Sequence, residues 1–372
     1  MSSAHIPRVG LWNKAKDLAK PLFKALGLGS LWGTLGEKYH WGTVFLNYVA
    51  MRSPLMRWMR IGIWPQALYV EGTNICNARC VFCAYPQMER AKSTMPMGEF
   101  KRVIGEFAAA GGAEVDLSPI VGDPFVDKHI FERMDFLMTL PGVRRFHFFT
   151  NAILMKPEYA ERLLGYGSRL TIYCSFGGFD QPTYHQVMGV DKFVEAVDGI
   201  RTLIEAKRAS DSKLGIQVNL RIPPGNAKGE FWDFIVKARD EGLITIDGID
   251  AYDSWAGMIK ESDLAVAGLA ARPMPVKRGP CHRLVTSPVL LVDGRVNACA
   301  CRDVEANLII GDTKTESLAD ILSSPALQDL LDKHEREDFP EVCKRCTYYD
   351  SLYPAVMRGK SFPFWRRLVA GF

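Results

Sequence analysis

Two segments that would place the protein in or across a membrane are missing from the sequence. No apolar run reaches the roughly 20 residues that a bilayer-spanning helix needs. The first residues also lack an uninterrupted apolar block followed by a small-residue cleavage site. The nine cysteines fall mostly in short clusters, without the even spread of a disulfide framework. We therefore expect a cytoplasmic protein in a reducing compartment.

Acidic residues are scarce at both ends of the chain. Residues 1–64 carry nine Lys and Arg against two acids, and residues 351–372 carry four Lys and Arg with no acid. Because the whole chain has a net charge of only +4, the interior must be acidic. With 372 residues, of which 48% are hydrophobic, the chain is long enough for two domains with a large core.

Three cysteines, Cys76, Cys80 and Cys83, form a compact CX3CX2C group shortly after the apolar stretch Ala67–Val70. Closely grouped thiolates bind either zinc or an iron–sulfur cluster, and the spacing alone leaves both interpretations open. On a four-iron cluster, three thiolates would leave one iron without a protein ligand. Such an iron can bind and reduce another molecule.

Short apolar runs alternate with helical patterns between residues 65 and 255. One predicted helix places Met97, Phe100 and Phe107 on one face, and another does the same with Phe193 and Ile204. This alternation predicts a parallel α/β fold, although periodicity does not separate a partial barrel from an open sheet. The predicted strands are Ala67–Val70, Val115–Leu117, Phe146–Phe149, Leu170–Cys174, Ile216–Ile222 and Ile244–Ile249.

Polar and glycine-rich residues follow these strands, where sites of such folds form. Each also has a structural interpretation: Asp-Pro is common turn chemistry, Ser175 suits a helix cap, and Arg221 suits a surface ion pair. Their occurrence in order behind CX3CX2C favours a shared site. The set comprises Gly122, Asp123, Pro124, Asn151, Ser175, Arg221, Trp255 and Gly257.

The CX3CX2C spacing, the aromatic Phe82 before its third cysteine and the ordered strand-end residues resemble the radical S-adenosylmethionine (radical SAM) superfamily. The resemblance implies a (β/α)6 partial TIM barrel and a [4Fe–4S] cluster bound by Cys76, Cys80 and Cys83. It also implies that the strand-end residues, with Phe82, bind S-adenosylmethionine. In that interpretation Gly122, Asp123 and Pro124 hold the methionine amine, Ser175 the ribose, Arg221 the carboxylate, and residues 253–257 flank the adenine.

A second cysteine set comprises Cys281, Cys299, Cys343 and Cys346. Residues 290–298 predict a β-hairpin with an Asp-Gly turn, and a helix is expected around residues 318–331. Four thiolates could saturate zinc or a second [4Fe–4S] cluster. The pattern resembles the SPASM/Twitch extension in its one-cluster form. Cys301 would either substitute as a ligand or pack as a thiol, and Cys174 is expected to be a buried small hydrophobe.

Four segments follow from these patterns. We expect a basic, tryptophan-rich helical extension over residues 1–64 and the partial barrel over 65–270. A small cysteine-rich SPASM/Twitch-like domain with a hairpin and a helix would cover 271–350, and a basic aromatic tail 351–372. A basic helix with tryptophan on its apolar side suits an anionic membrane surface, which would make the protein peripheral at the inner membrane face. The alternative is that both ends fold back over the barrel.

The resemblance implies reductive cleavage of S-adenosylmethionine to a 5′-deoxyadenosyl radical that removes hydrogen from an unactivated C–H bond. We expect oxidation or rearrangement of a small alcohol, either sugar- or aminocyclitol-like or lipid-linked, with the second cluster as electron acceptor. Tyr252, Asp253 and His282 are the candidate bases for the hydroxyl proton. An electron donor such as flavodoxin or ferredoxin is implied.

Two alternative functions remain open from the sequence. One is radical modification of a ribosomally made peptide, against which residues 1–64 lack the strand alternation of a peptide-recognition domain. The other is a non-catalytic iron–sulfur or zinc-binding module with basic arms for nucleic acid, which would bind in a salt-sensitive way. The ordered strand-end residues argue against the second, so we do not expect a nucleic-acid partner.

Overall fold

The computed structural model describes residues 44, 48, 49, 52, 65 and 67–353. The predicted tryptophan-rich stripe and the aromatic tail lie outside these residues, as does any membrane contact they would make. Within the described part of the chain, no helix is both long and apolar enough to cross a membrane.

The fold is built on one nine-stranded sheet in the order β11-β10-β9-β1-β2-β3-β4-β5-β6. Strands β1 to β6 all run parallel, as the alternation of strands and helices predicted. No pairing between β6 and β11 closes the sheet over the described residues. The strands are β1 Ala67–Val70, β2 Glu114–Asp116, β3 Arg145–Thr150, β4 Leu170–Phe176, β5 Gly215–Leu220, β6 Thr245–Asp247, β9 Val289–Leu290, β10 Arg295–Asn297 and β11 Ile309–Asp312, with β7 Ala251–Tyr252 and β8 Ala270–Ala271 in a separate parallel pair.

Helices cover the outer face of this sheet. Alternate strand residues such as Leu68, Phe146, Phe148 and Ile172 are fully buried there, because apolar side chains of period two meet the apolar stripes of the helices. The α-helices are Met97–Ala109, Ile130–Thr139, Pro157–Leu164, Gln181–Met188, Phe193–Arg208, Glu230–Asp240, Glu261–Val266, Arg283–Thr286, Leu318–Ile321, Pro325–Glu335 and Glu341–Lys344.

The predicted hairpin is confirmed, but its place in the sheet was not anticipated. Strand β9 pairs in parallel with β1, so the hairpin β9–β10 and then β11 extend the barrel sheet at its first strand. The predicted single helix around 318–331 is wrong. Ser324 breaks it by accepting a hydrogen bond from Leu327 N, and Pro325 begins a new helix.

Buried ion pairs join the barrel to the cysteine-rich segment. The fully buried Glu71 receives two hydrogen bonds from Arg90, at 2.6 and 3.0 Å, and one from Val292 N at 3.3 Å. Arg90 Nε also donates to the Val304 carbonyl. Because Glu71 directly follows β1, these contacts fix the start of the CX3CX2C loop against the second segment.

His334 makes stability depend on pH. Its ring is fully buried and lies edge-on to Phe339, with ring centroids 4.8 Å apart. Burial lowers the pKa of His334 to about 4, against about 6.5 in an unfolded chain. Between these values the unfolded chain binds a proton that the folded chain does not, so the free energy of unfolding falls as pH decreases.

We expect the free energy of unfolding to fall by about 2 kcal/mol between pH 7 and pH 5 through this histidine alone. Urea unfolding of the His334→Gln variant should show a correspondingly smaller difference between the two pH values. The exposed His185 offers a matched control, His185→Gln, which should retain the wild-type difference. Equal pH dependence in all three proteins would contradict this assignment.

Candidate iron–sulfur and S-adenosylmethionine site

The CX3CX2C loop is fixed against the end of the helix Gln181–Met188. Arg79 N donates to the Met188 carbonyl at 3.1 Å, and Val81 N to the Val187 carbonyl at 3.0 Å. The helix ends at Gly189 in the left-handed conformation, with φ of 69°. A Cβ at Gly189 would lie 2.2 Å from the Arg79 carbonyl oxygen, so the close approach of helix and loop requires glycine.

The three cysteines of this loop are partly buried, and their thiols are close enough to interact electrostatically. Burial raises the pKa of Cys76 to about 12, and the charges of Asp123 and Cys83 act in the same direction. Burial, followed by Cys83 and Cys76, also raises the pKa of the Cys80 thiol well above its ordinary range. Three neighbouring thiolates repel one another, so a bound cation such as iron would stabilise their ionised form.

Asp123 joins three strand-end segments through its buried carboxylate. One oxygen accepts a hydrogen bond from Phe125 N at 3.0 Å, and the other accepts from Thr150 Oγ1 and Asn151 N at 2.9 Å. Its backbone N–H donates to the Ile75 carbonyl, next to the first cysteine. These bonds position the loop and the end of β3. The contact of Asp123 with the methionine amine of S-adenosylmethionine stays a prediction.

Two buried polar atoms near the cysteine triad have no hydrogen-bond partner among the described residues. Asn77 Oδ1 accepts a hydrogen bond from Asn151 Nδ2 at 2.7 Å, but the Asn77 amide nitrogen is buried without a partner. The Tyr184 hydroxyl is likewise buried and unpartnered, and its pKa is raised by burial and then by the charge of Cys80. Buried donors without acceptors are rare, so these two favour a polar ligand beside the triad.

The predicted ribose and carboxylate residues lie together on β4 and just after β5. Arg221 donates to Ser175 Oγ from Nη2 at 3.1 Å and from Nε at 3.3 Å. Its guanidinium also lies 5.6 Å from the centre of the Phe82 ring and 5.7 Å from that of Tyr252. The interpretation of Arg221 as a surface ion pair therefore finds no support, because this side chain faces the cysteine loop.

Residues 253–257 form a strained turn beside the second cysteine set. Trp255 and Ala256 both have positive φ, and Ser254 caps the turn by accepting from Gly257 N. The indole of Trp255 is buried, and within the described residues its Nε1–H has no acceptor. This orphaned donor fits the predicted place beside an adenine, whose ring nitrogens are acceptors.

The second cysteine set forms the wall of a single cavity of about 340 Å³, including its open mouth. Besides the four predicted thiols, the cavity is lined by Cys301, which therefore belongs to the same cluster of side chains. Burial and then Cys301 and Cys281 raise the pKa of Cys299 well above its ordinary range, so these thiols share one environment. The full lining is Cys281, Arg283, Leu284, Cys299, Cys301, Cys343, Cys346, Tyr348 and Tyr349.

Arg302 lies between the two cysteine sets. It forms a bidentate ion pair with Asp253, with N–O distances of 2.5 and 2.7 Å. Asp253 is 1% exposed. Its guanidinium packs 4.5 Å from the Trp255 ring centre and 4.7 Å from that of Tyr348. Burial raises the pKa of one thiol in each set, Cys83 in the first and Cys346 in the second. The positive charge of Arg302 acts on both in the opposite direction, with a smaller effect.

The three candidate bases, Tyr252, Asp253 and His282, lie near Arg302 or beside the second cavity. Both oxygens of Asp253 accept hydrogen bonds from Arg302, and Tyr252 lies edge-on to Phe82 at 5.7 Å. Burial raises the pKa of Tyr252. His282 Nδ1 lies 3.3 Å from the Asp350 carbonyl oxygen, beside the second cavity.

Sequence reasoning missed several residues of the site. Arg302, Asn77 and Tyr184 carry no pattern that separates them from ordinary polar or core residues. Asp116 and His147, in contrast, are charged or titratable residues in the middle of predicted buried strands, and that anomaly could have been noticed.

The donor chemistry of both cysteine sets fits iron–sulfur clusters, because thiolates are their usual protein ligands. A parallel α/β sheet with three neighbouring thiols beyond its strand ends and a second, thiol-lined cavity fits an iron–sulfur protein. The family comparisons identify which class of enzyme it is. Residues 70–248 match the radical SAM superfamily, and residues 281–347 match the SPASM iron–sulfur cluster-binding domain.

The chain belongs to the radical SAM superfamily and carries a SPASM domain. Its cofactors are a [4Fe–4S] cluster, an auxiliary cluster and S-adenosylmethionine. The predicted family, the parallel α/β fold and the cofactors are thereby confirmed.

Curated relatives include GTP 3′,8-cyclase of Vibrio parahaemolyticus, 28% identical over 143 residues, which is 37% of this chain and 41% of the relative. GTP 3′,8-cyclase of Actinobacillus succinogenes is 30% identical over 176 residues, which is 46% of this chain and 49% of the relative. The chain thus spans less than half the length of the curated relatives it matches.

Solved structures share the fold at low identity. BtrN in complex with AdoMet and 2-DOIA has a TM-score of 0.51 and 14% identity, over 76% of this chain and 92% of its own. Streptococcus suis SuiB bound to precursor peptide SuiA has a TM-score of 0.53 and 16% identity, over 83% of this chain and 76% of its own.

Proposed function

We propose that the protein is a radical SAM oxidoreductase that converts a secondary alcohol of a small polyol-like substrate into a ketone. The observation that carries this proposal is the second cavity, which five thiols line next to Arg302, whose charge acts on a thiol of each cysteine set. Four thiolates suffice to saturate a cluster, and a saturated cluster has no open iron for substrate. Accepting an electron is then its natural role.

The cysteine triad would hold a [4Fe–4S] cluster, which, supplied with an electron by a donor such as flavodoxin or ferredoxin, would cleave S-adenosylmethionine to a 5′-deoxyadenosyl radical that removes a hydrogen atom from carbon. The remaining roles belong to side chains of this chain. Asn77 and Asn151 border Cys76 and offer amide groups to the amino-acid part of S-adenosylmethionine. Ser175 and Arg221 offer donors at the strand ends, and Trp255 offers its unpartnered indole N–H. Asp123 acts as a positioning residue for this set.

The proposal also includes a division of the chain near residue 270 into the partial barrel and an auxiliary-cluster domain. The residues before this division would carry out hydrogen abstraction. The residues after it would hold the cluster that accepts the electron. Tyr252 and Arg302 lie between them, because Tyr252 contacts Phe82 and the Arg302 guanidinium lies 5.7 Å from the Tyr252 ring centre.

The comparisons leave rearrangement and peptide modification as competing outcomes. BtrN was solved with AdoMet and 2-DOIA, whereas the curated relatives are named as GTP cyclases and SuiB was solved with a peptide. A mass balance distinguishes oxidation from rearrangement, because alcohol oxidation removes two hydrogens from the substrate and a redox-neutral rearrangement removes none.

We expect the Cys343→Ala variant to retain 5′-deoxyadenosine formation but to lose formation of the oxidised product. The experiment uses anaerobically reconstituted protein, dithionite, S-adenosylmethionine and a panel of cyclic polyols, with both products followed by mass spectrometry. Iron content should fall by about four atoms per chain in this variant. Cys301→Ala, measured in parallel, decides whether the fifth thiol is needed. Oxidation retained without the auxiliary iron, or a product isomeric with its substrate, would contradict the proposal.

A further inference from the structure

The inner face of the parallel sheet is polar and only partly covered. On β3, Phe146 and Phe148 are fully buried against the helices, whereas His147 and Phe149 point to the other face and are partly exposed. A central strand of a large sheet is normally apolar on both faces. The inner face instead carries Asp116, His147, Thr171, Tyr173, Gln217 and Asn219.

Asp116 and His147 form an ion pair across the neighbouring strands β2 and β3. The two residues are in register, and His147 Nε2 lies 3.1 Å from Asp116 Oδ2. Asp116 is 4% exposed, and its other oxygen accepts a hydrogen bond from Ser118 N at 2.8 Å. A carboxylate that accepts from Nε2–H leaves Nδ1 as the nitrogen that can take up a proton.

Aromatic rings form a shelf beside this pair. Tyr173 stacks on Phe149 with ring centroids 4.6 Å apart, and its ring meets His147 edge-on at 5.6 Å. Such a shelf can pack against the C–H face of a saturated ring while neighbouring polar groups bind its hydroxyls. The inner face therefore suits a cyclic polyol better than a highly charged substrate.

Tyr69 connects the same region to the second cysteine set. It is in register with Asp116 on the neighbouring strand, and both Asp116 and Cys301 raise its pKa after the larger effect of burial. The Asp116–His147 pair consequently lies on the side of the inner face that is nearer the auxiliary cavity. A group that removes a proton is thereby placed near the centre proposed to remove an electron.

We propose that His147, oriented by Asp116, accepts the proton of the substrate hydroxyl, and that the substrate is a cyclic polyol held on the Phe149–Tyr173 shelf. The inference rests on the proposed function and deepens it. In the proton transfer the substrate O–H bond breaks and an N–H bond forms at Nδ1. The carbinol oxygen keeps the electron pair, and Asp116 stabilises the resulting imidazolium.

The role of base is thus assigned to His147, paired with Asp116, in place of Tyr252, Asp253 and His282. Both oxygens of Asp253 already accept hydrogen bonds from Arg302, so neither is available to receive the hydroxyl proton. Tyr252 would have to ionise in a buried position, and His282 faces Asp350 beside the second cavity. His147 is a partly exposed imidazole with a buried carboxylate partner.

The charged groups around His147 set the expected pH dependence. Asp116 and Glu114 on β2 raise the pKa of His147, while burial and Arg145 on its own strand lower it. Tyr173 on β4 contributes only its ring contact with the histidine. The net direction is upward, so the neutral base forms only above the ordinary value of about 6.5. Product formation should rise with pH through that midpoint.

The test combines a titration with a product assay on the cluster-loaded protein. Carbon-13 NMR of the His147 ring, in the oxidised protein, should give a midpoint above 6.5 that falls in Asp116→Asn. A panel of myo-inositol, scyllo-inositol and D-glucose should shift this resonance for at least one member. His147→Gln should lower ketone formation from that polyol by about 10²-fold or more. His185→Gln is the matched control.

The outcomes separate this inference from the proposed function. Absence of 5′-deoxyadenosine from the unmodified protein would overturn the proposed function itself. With 5′-deoxyadenosine present, a wild-type ketone yield in His147→Gln would overturn the role of the histidine. A His147 resonance that none of the three polyols shifts would overturn the substrate class. A midpoint unchanged by Asp116→Asn would overturn the role of the carboxylate.

Discussion

Replacing Cys80 with alanine is expected to abolish the release of 5′-deoxyadenosine. Cys80 is the middle thiol of the triad and is partly buried, and it interacts electrostatically with both Cys83 and Cys76. With two thiolates left, a four-iron cluster would lose one of the three ligands that define its single open iron. We expect a loss of at least about 10³-fold, to the detection limit of a mass-spectrometric assay, because Cys76 and Cys83 are the only other described residues of the loop that offer a thiolate.

The matched control is Cys174→Ala. Cys174 is fully buried on β4 and packs in the core with its neighbours, so its loss should reduce stability modestly and leave 5′-deoxyadenosine formation intact. Iron analysis completes the comparison, since Cys80→Ala alone should lose about four iron atoms per chain. Wild-type 5′-deoxyadenosine formation in Cys80→Ala would refute the assignment of the triad.

Replacing Arg302 with methionine is expected to destabilise the region between the two cysteine sets strongly. It would leave the carboxylate of Asp253, 1% exposed, without its partner. Removing one member of a buried pair costs about 3–5 kcal/mol in unfolding free energy, because the remaining charge is buried and uncompensated. Replacing both members by apolar residues, as in Arg302→Met with Asp253→Leu, should recover much of that loss.

Chemical denaturation of wild type, both single variants and the double variant gives the coupling energy of the pair. The exposed pair of Arg295 and Asp293, whose side chains are 41% and 43% exposed, is the control, and its removal should cost less than about 1 kcal/mol. Additive losses in the Arg302–Asp253 cycle would show that the two side chains stabilise the interface independently.

The same Arg302 variant should make both clusters harder to reduce. A positive charge between the cysteine sets favours the more negative, reduced state of each cluster, and methionine removes it. Redox titration followed by electron paramagnetic resonance should therefore give lower midpoint potentials in the single variant. Unchanged potentials would restrict Arg302 to a structural role.

Much of the site could be predicted because its signals are local. The CX3CX2C spacing groups three thiols within eight residues, and the loops after parallel strands necessarily lie at one edge of the sheet. The strand predictions also held, with observed ends within two residues, because alternating apolar residues specify a strand directly. The break at Ser324 was missed, although Ser-Pro is a helix-start signal, because the apolar periodicity continues across it.

The sequence alone thus determined the family, the CX3CX2C spacing of the first cysteine set and the parallel arrangement of the barrel strands, since each depends on residues close together in the chain. Only the tertiary structure brought Cys301 into the second cavity, placed Arg302 between the two cysteine sets and paired Asp116 with His147. These contacts join residues separated by a whole strand–helix unit or more. Their formation depends on strand register and on where the hairpin β9–β10 joins the sheet, and no local pattern encodes either.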